Sequence, residues 1–146
     1  MDRYPLIKIL FPALVPEERE GAPVFLCPVP AGWPSPADDY IEDTLDLHKF
    51  AVRNEPATFF FHASGDSMIG AGIHDGDILV VDRSITAVPG KVVIAAVDGE
   101  LTVKRLVRKG KHLLLMPENP DYTPIDITLH EDAGIWGVVT YVLHSL

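Results

Sequence analysis

The sequence predicts a mainly β fold: a compact multi-strand barrel or sandwich with one short helix and an extended N-terminal arm. Three observations carry that prediction. Short runs rich in β-branched and aromatic residues recur from Thr58 to the C-terminus. Turn-forming pairs punctuate them, among them Asp75-Gly76, Pro89-Gly90, Asp98-Gly99 and Asn119-Pro120. Prolines instead crowd the first 36 residues, at Pro5, Pro12, Pro16, Pro23, Pro28, Pro30, Pro34 and Pro36.

The arm comes first. Each proline removes an N–H donor and pushes its predecessor towards extended backbone, so no helix is expected there. Yet Leu6, Ile7, Ile9, Leu10, Phe11, Val24, Phe25 and Leu26 make it too apolar for a solvated linker. Docking on the folded body, by addition to a sheet edge, is the physical expectation. Next, Asp46 can cap a short helix over 47–53, stopped by Asn54-Glu55-Pro56. Strands are then expected over 58–63, 78–81, 92–97, 101–107, 112–116, 125–129 and 135–143. Arg108-Lys109-Gly110-Lys111 reads as a hairpin turn, and no internal repeat is visible.

Composition narrows the function. A chain of 146 residues with 47% apolar and 23% charged residues suits one soluble domain. Its net charge of −9 argues against direct nucleic-acid binding, which draws its affinity from clustered cations. The basic run at 105–111 reads as a solvated hairpin instead. Cys27 is the single cysteine, so no intramolecular disulfide can form and a reducing compartment is expected. Lys8 and Pro12 interrupt the apolar stretch 6–15, and Leu26 is large for a lipid-attachment site before Cys27. Neither a signal nor a membrane span is expected, and the natural location is the cytoplasm. His48, His62, His74, His112, His130 and His144 lack zinc-type spacing, so neither a metal nor a cofactor is expected.

One turn carries candidate chemistry. Gly65-Asp66-Ser67-Met68-Ile69-Gly70-Ala71-Gly72 follows a strand, which places Ser67 on a tight turn beside backbone N–H groups. Lys104 lies downstream in a semi-apolar strand with Leu101, Thr102, Val103 and Leu106. A serine and a neutral lysine form a known variant of the Ser-His-Asp arrangement. By spacing alone an inert glycine turn remains open, and so does a triad using His62 or His74. A phosphate-binding loop fails, because Ala71 and Gly72 replace its lysine and hydroxyl. The nucleophile elbow fails at Ile69. A Gly-Asp-Ser esterase lacks its late Asp-x-x-His partner.

The wording of three blocks is more specific. Ser64-Gly65-Asp66-Ser67-Met68-Ile69, with Gly72-Ile73 and Asp75-Gly76-Asp77, resembles the serine block of LexA-type self-cleaving peptidases. The run from Ala95 through Asp98-Gly99-Glu100-Leu101-Thr102-Val103-Lys104-Arg105-Leu106 resembles their lysine block. Gly32-Trp33-Pro34-Ser35-Pro36-Ala37 and Asp39-Tyr40 resemble the segment after the cleavage point in the UmuD branch of that family.

The resemblance implies a nucleophile, Ser67, and a general base, Lys104. It implies a scissile Ala31-Gly32 bond and an oxyanion hole from the N–H groups of Asp66 and Ser67. UmuD proteins carry cysteine before that glycine; alanine is the LexA form. An arm over 1–31 would be removed, leaving 32–146 as the β-rich peptidase and dimerisation domain. A LexA-type repressor has a helix-turn-helix domain ahead of the cut, and the proline-broken arm is too short for one. The implied partners are a RecA–single-stranded DNA filament, a second copy of the chain, and a UmuC-like Y-family polymerase. Together these describe error-prone translesion synthesis in the SOS response to DNA damage. Two other readings are a β-rich interaction module with an idle dyad, and a Ser–Lys peptidase acting on other proteins.

Overall fold

Alternating apolar runs closed by tight turns pair most readily with antiparallel neighbours. The computed structural model describes residues 21–25, 28–34 and 41–146. Residues 1–20, 26–27 and 35–40 lie outside the described residues, and with them most of the expected arm, Cys27, and Asp39-Tyr40. The chain divides into two units, 1–50 and 51–146.

In the first unit, β1 (Ala22–Phe25) pairs antiparallel with β2 (Ile41–Leu45), Ala22 opposite Leu45. Only glycine fits at Gly21: its φ is +94° and an added Cβ would stand 2.2 Å from the Leu45 carbonyl oxygen. The described part of the arm therefore forms a two-stranded sheet with β2, separate from the larger sheet. The helix follows as α1 (Leu47–Ala51), with the Lys49 N–H donating to Asp46 Oδ1 at 3.1 Å. It stops short of the expected end at 53. No α1 residue is buried, so nothing sustains another turn, and a 3-10 turn over Glu55–Ala57 begins with Pro56 in its first positions.

The second unit holds one antiparallel sheet. Its strands are β3 (Thr58–His62), β4 (Ile78–Asp82), β5 (Val92–Val97), β6 (Glu100–Lys109), β7 (His112–Met116), β8 (Ile125–Asp126) and β9 (Ala133–Leu143). They lie in the order β3-β4-β9-β5-β6-β7-β8, so the last strand inserts between β4 and β5. Asp98-Gly99 turns β5 into β6 with positive φ at both residues, 50° and 81°, as a type I′ hairpin requires. Gly110, at φ 60°, opens the two-residue turn between the Lys109–His112 pair, narrower than the four residues expected. The strand expected over 125–129 ends at Asp126. There the Thr128 N–H donates to Asp126 Oδ1 at 2.9 Å, a local turn that competes with the ladder.

Two register shifts curl the sheet into a half-barrel. Val80 faces Tyr141 but Val81 faces Val139, and Ile94 faces Gly137 but Ala95 faces Ile135. Both extra residues, Thr140 and Trp136, sit on β9, and such bulges bend a strand and raise its twist. Trp136 fills the resulting corner, edge-on to Phe59 at 5.2 Å and Phe61 at 5.1 Å, with Arg83 4.3 Å over its ring. The central strands are buried on both faces. Leu79, Val81 and Ile94 join Ala63, Met68 and Ile73 in one cluster. Val93, Ala95, Leu106, Leu115 and Val138 make the other. Full burial of one such side chain stabilises by about 1.5–3 kcal/mol. Met68 and Ile73 matter for the site, because they anchor the loop that carries Ser67.

Candidate active site

The segment between β3 and β4 is pinned at both ends. At its base the Ala63 N–H donates to the Asp77 carbonyl and the Gly76 N–H to the Ala63 carbonyl, both at 2.8 Å. At its tip the Gly65 N–H donates to Asp75 Oδ1 at 2.7 Å, with Gly65 at φ +85°. A second loop braces it after β7. The Glu118 N–H donates to the Ser67 carbonyl, and the Gly70 N–H donates to the Glu118 carbonyl, both at 2.8 Å. Asn119 Nδ2 donates to the Asp66 carbonyl at 3.0 Å, and the Tyr122 hydroxyl to Asp66 Oδ1 at 2.6 Å. That bond to a carboxylate, with the charge behind it, raises the Tyr122 pKa. Glu118 is itself held by an ion pair with Arg105 of β6.

Strand β6 supplies the partner of Ser67. Lys104, opposite Val93 in the ladder, is buried with 9% of its surface exposed. Its Nζ stands 3.1 Å from Ser67 Oγ, 2.8 Å from Thr102 Oγ1 and 3.0 Å from the Val103 carbonyl oxygen. Burial lowers the Lys104 pKa from its ordinary 10.5. A neutral amine can serve all three contacts, with two N–H donors for Thr102 and Val103 and one lone pair for the serine hydroxyl. An unperturbed lysine is neutral in fewer than about one molecule in a thousand at pH 7, so the shift decides whether it can accept a proton.

A cleft of about 310 Å³ opens over the pair, lined by Ser64, Asp66, Leu101, Val103 and Tyr122 besides the two residues themselves. The peptide N–H groups of Asp66 and Ser67 donate no hydrogen bond among the described residues. Ala31 and Gly32 lie in an exposed bend of the first unit, and a Cβ added at Gly32 would touch nothing within 4 Å. Neither His62 nor His74 shares a hydrogen bond with Ser67 among the described residues; His74 turns towards Asp77 instead. The structure thus brings Ser67, Lys104 and Asp66 together. Thr102, Glu118, Asn119 and Tyr122 join them. Of these, Thr102 had a sequence signal, since a residue two before Lys104 on a strand shares its face.

Comparison with known proteins identifies the family. Residues 23–140 match the family described as Peptidase S24-like. The chain belongs to that family. It is 48% identical over 137 residues to protein SamA of Salmonella typhimurium strain LT2, covering 90% of this chain and 94% of SamA. Protein MucA of Escherichia coli is 47% identical over 122 residues, 83% of each chain. The LexA repressor of Clostridium novyi is 40% identical over 119 residues, which span 82% of this chain and 58% of the repressor. Within the S24-like peptidases it is a UmuD-type, LexA-like member. Among its described residues no helix is long and apolar enough to cross a membrane.

Proposed function

We propose that this S24-like peptidase cuts its own Ala31–Gly32 bond with a Ser67–Lys104 dyad. The observation that carries the reading is the 3.1 Å separation of Ser67 Oγ from a buried, pKa-lowered Lys104 amine. In the first step Ser67 Oγ attacks the Ala31 carbonyl carbon while its proton passes to the neutral Lys104 amine. The oxygen that becomes negative accepts the N–H groups of Asp66 and Ser67. Collapse breaks the Ala31–Gly32 bond, and the Lys104 ammonium returns the proton to the Gly32 amine. Water, deprotonated by Lys104, then hydrolyses the Ser67 ester and frees the Ala31 carboxylate. Glycine after the cut suits a crowded site, and Pro30 and Pro34 stiffen its flanks, lowering the entropy lost on entry.

Cleavage on this scheme needs two coincident events: entry of residues 31 and 32 into the cleft, and neutralisation of Lys104. A partner that favours the engaged state accelerates it by population shift. The family resemblance supplies that partner, a RecA–single-stranded DNA filament. The product, 32–146, acts as a homodimer with a UmuC-like Y-family polymerase in the SOS response. The segment removed carries Arg3, Lys8 and Arg19 against Asp2, Glu17, Glu18 and Glu20, so uncovered apolar surface rather than charge is the signal.

The test is intact mass after incubation at pH 7 and near pH 10, with Lys104→Ala alongside. Loss of residues 1–31 that increases at the higher pH, and is absent from the variant, is the expected result. A chain that stays whole at both pH values, even with a RecA filament, leaves an interaction module with an idle dyad as the better account.

A further inference from the structure

Away from the dyad, the base of the Ser67 loop meets the end of β9. The antiparallel register of β4 and β9 sets Ile78 opposite Leu143, which carries His144 back to His74 and Asp77. Asp77 is buried, with 4% of its surface exposed. Its Oδ2 accepts the His74 backbone N–H at 2.7 Å, and its Oδ1 lies 2.6 Å from His144 Nδ1. Burial pushes this carboxyl up, but the His74 N–H and His144 outweigh it and hold the pKa below its usual value. The two imidazoles sit side by side, 4.4 Å between centroids and 31° apart in plane. His74 Nδ1 is closed off from solvent and has no hydrogen-bond partner. It points towards Asp77, 3.7 Å from Oδ2.

We propose that His74, Asp77 and His144 bind one borderline divalent cation, with Zn²⁺ the best fit. The donor atoms of all three lie within 4.8 Å of one another. Ligand atoms around a tetrahedral Zn²⁺ stand about 3.3 Å apart, given bonds of about 2.0–2.2 Å. Asp77 reaches the two imidazoles through different oxygens, Oδ2 3.7 Å from His74 Nδ1 and Oδ1 2.6 Å from His144 Nδ1, so His144 draws back by about 0.7 Å when metal replaces its hydrogen bond. Two imidazoles and one carboxylate favour Zn²⁺, Co²⁺ or Ni²⁺ over Mg²⁺ or Ca²⁺, which prefer all-oxygen cages. The ion also satisfies the orphaned His74 nitrogen. Since the Asp77 carbonyl closes the Ser67 loop, bound metal clamps that loop to the C-terminal end of β9. Spacing within one segment does not reveal this trio, because the register of two distant strands assembles it.

The experiment uses the full chain with Ser67→Ala, so that cleavage does not change the sample. Zn²⁺ is titrated by calorimetry, Co²⁺ by visible absorption, and Mg²⁺ serves as the hard-cation control. One Zn²⁺ per chain, a raised melting temperature, a Co²⁺ d–d band and no response to Mg²⁺ are expected. His74→Gln and His144→Gln should each weaken Zn²⁺ by more than the roughly 10- to 100-fold typical of losing an outer-shell partner. His112→Gln, which alters the separate His112–Asp126 pair, should bind Zn²⁺ like its parent. Absence of saturable Zn²⁺ binding overturns the proposal, as does binding that survives both substitutions. Because the dyad is already disabled, neither outcome bears on self-cleavage.

Discussion

Gly70→Ala tests how the nucleophile is held. An added Cβ would stand 2.6 Å from the Glu118 carbonyl oxygen, whereas real Cβ contacts stay beyond 3.0 Å and mostly beyond 3.4 Å. The two loops must therefore part by about 0.4–0.8 Å in a close-packed region that does not deform freely. The Gly70 N–H bond to the same oxygen, now 2.8 Å, is stretched out of good geometry. A lost backbone hydrogen bond costs about 1 kcal/mol, and overpacking adds about 1–3 kcal/mol, so a loss of roughly 2–4 kcal/mol is expected. Glu118 is tied to β6 through Arg105 and donates to the Ser67 carbonyl, so the displacement falls on the 3.1 Å gap between Ser67 and Lys104. Misplacement by about 1 Å costs on the order of a hundredfold in rate, so self-cleavage should fall about 10- to 100-fold. The assay is alkaline self-cleavage followed by intact mass, with a thermal melt to establish folding. Gly134→Ala, whose Cβ meets nothing within 4 Å, is the control. A folded Gly70→Ala chain that cleaves at the parental rate would refute the idea that the Glu118 loop positions Ser67.

Three further outcomes follow from the same geometry. Thr102→Val removes an acceptor that favours the Lys104 ammonium more than the amine, so the midpoint of the pH–rate curve should move to lower pH while the plateau falls about tenfold; an unmoved midpoint would reduce Thr102 to packing. The lowered Lys104 pKa means that the folded chain releases this proton more easily than the unfolded one, so its buried ammonium destabilises most at low pH and not at all above 10.5. The melting-temperature advantage of Lys104→Met should therefore shrink as pH climbs towards 10.5, and a pH-independent difference would contradict the burial argument. Asp126 is held down to about 2, from 3.8, first by the Thr128 hydroxyl, then by the Thr128 N–H and His112. Its depressed pKa contributes stability above 3.8 that is lost as pH falls through about 2, so the deficit of Thr128→Val in thermal melts should narrow across that window.

The strands were most legible where chemistry at both ends is local. β5 and β7 run as the sequence indicates, because Asp98-Gly99 and Gly110 define turns with little dependence on distant residues. α1 and β8 came out shorter for a related reason: Pro56 and the Asp126–Thr128 turn act locally, but only the packing reveals how little supports the residues beside them. The position of β9 between β4 and β5 was not legible, nor were the bulges at Trp136 and Thr140, since both depend on pairing across the whole sheet. The site divides the same way. Ser67 and Lys104 stood out through the wording around them, and Thr102 was within reach from strand periodicity. Glu118, Asn119 and Tyr122 act through loop contacts with Asp66, Ser67 and Gly70 that no short-range pattern encodes.

The β1–β2 pair gives the proposed cut a further consequence. Ala31 and Gly32 lie in the connection between these two strands. Hydrolysis there breaks none of the ladder's hydrogen bonds, yet it removes the tether that keeps one strand beside the other. While joined, β1 meets β2 at an effective concentration on the order of millimolar. Once severed, the same pairing becomes an association between two molecules and weakens with dilution. A strand that leaves exposes an unsatisfied edge on β2, open to another extended chain. The chemical step is then only half of the switch; how long the departing strand stays seated sets the timing of the rest.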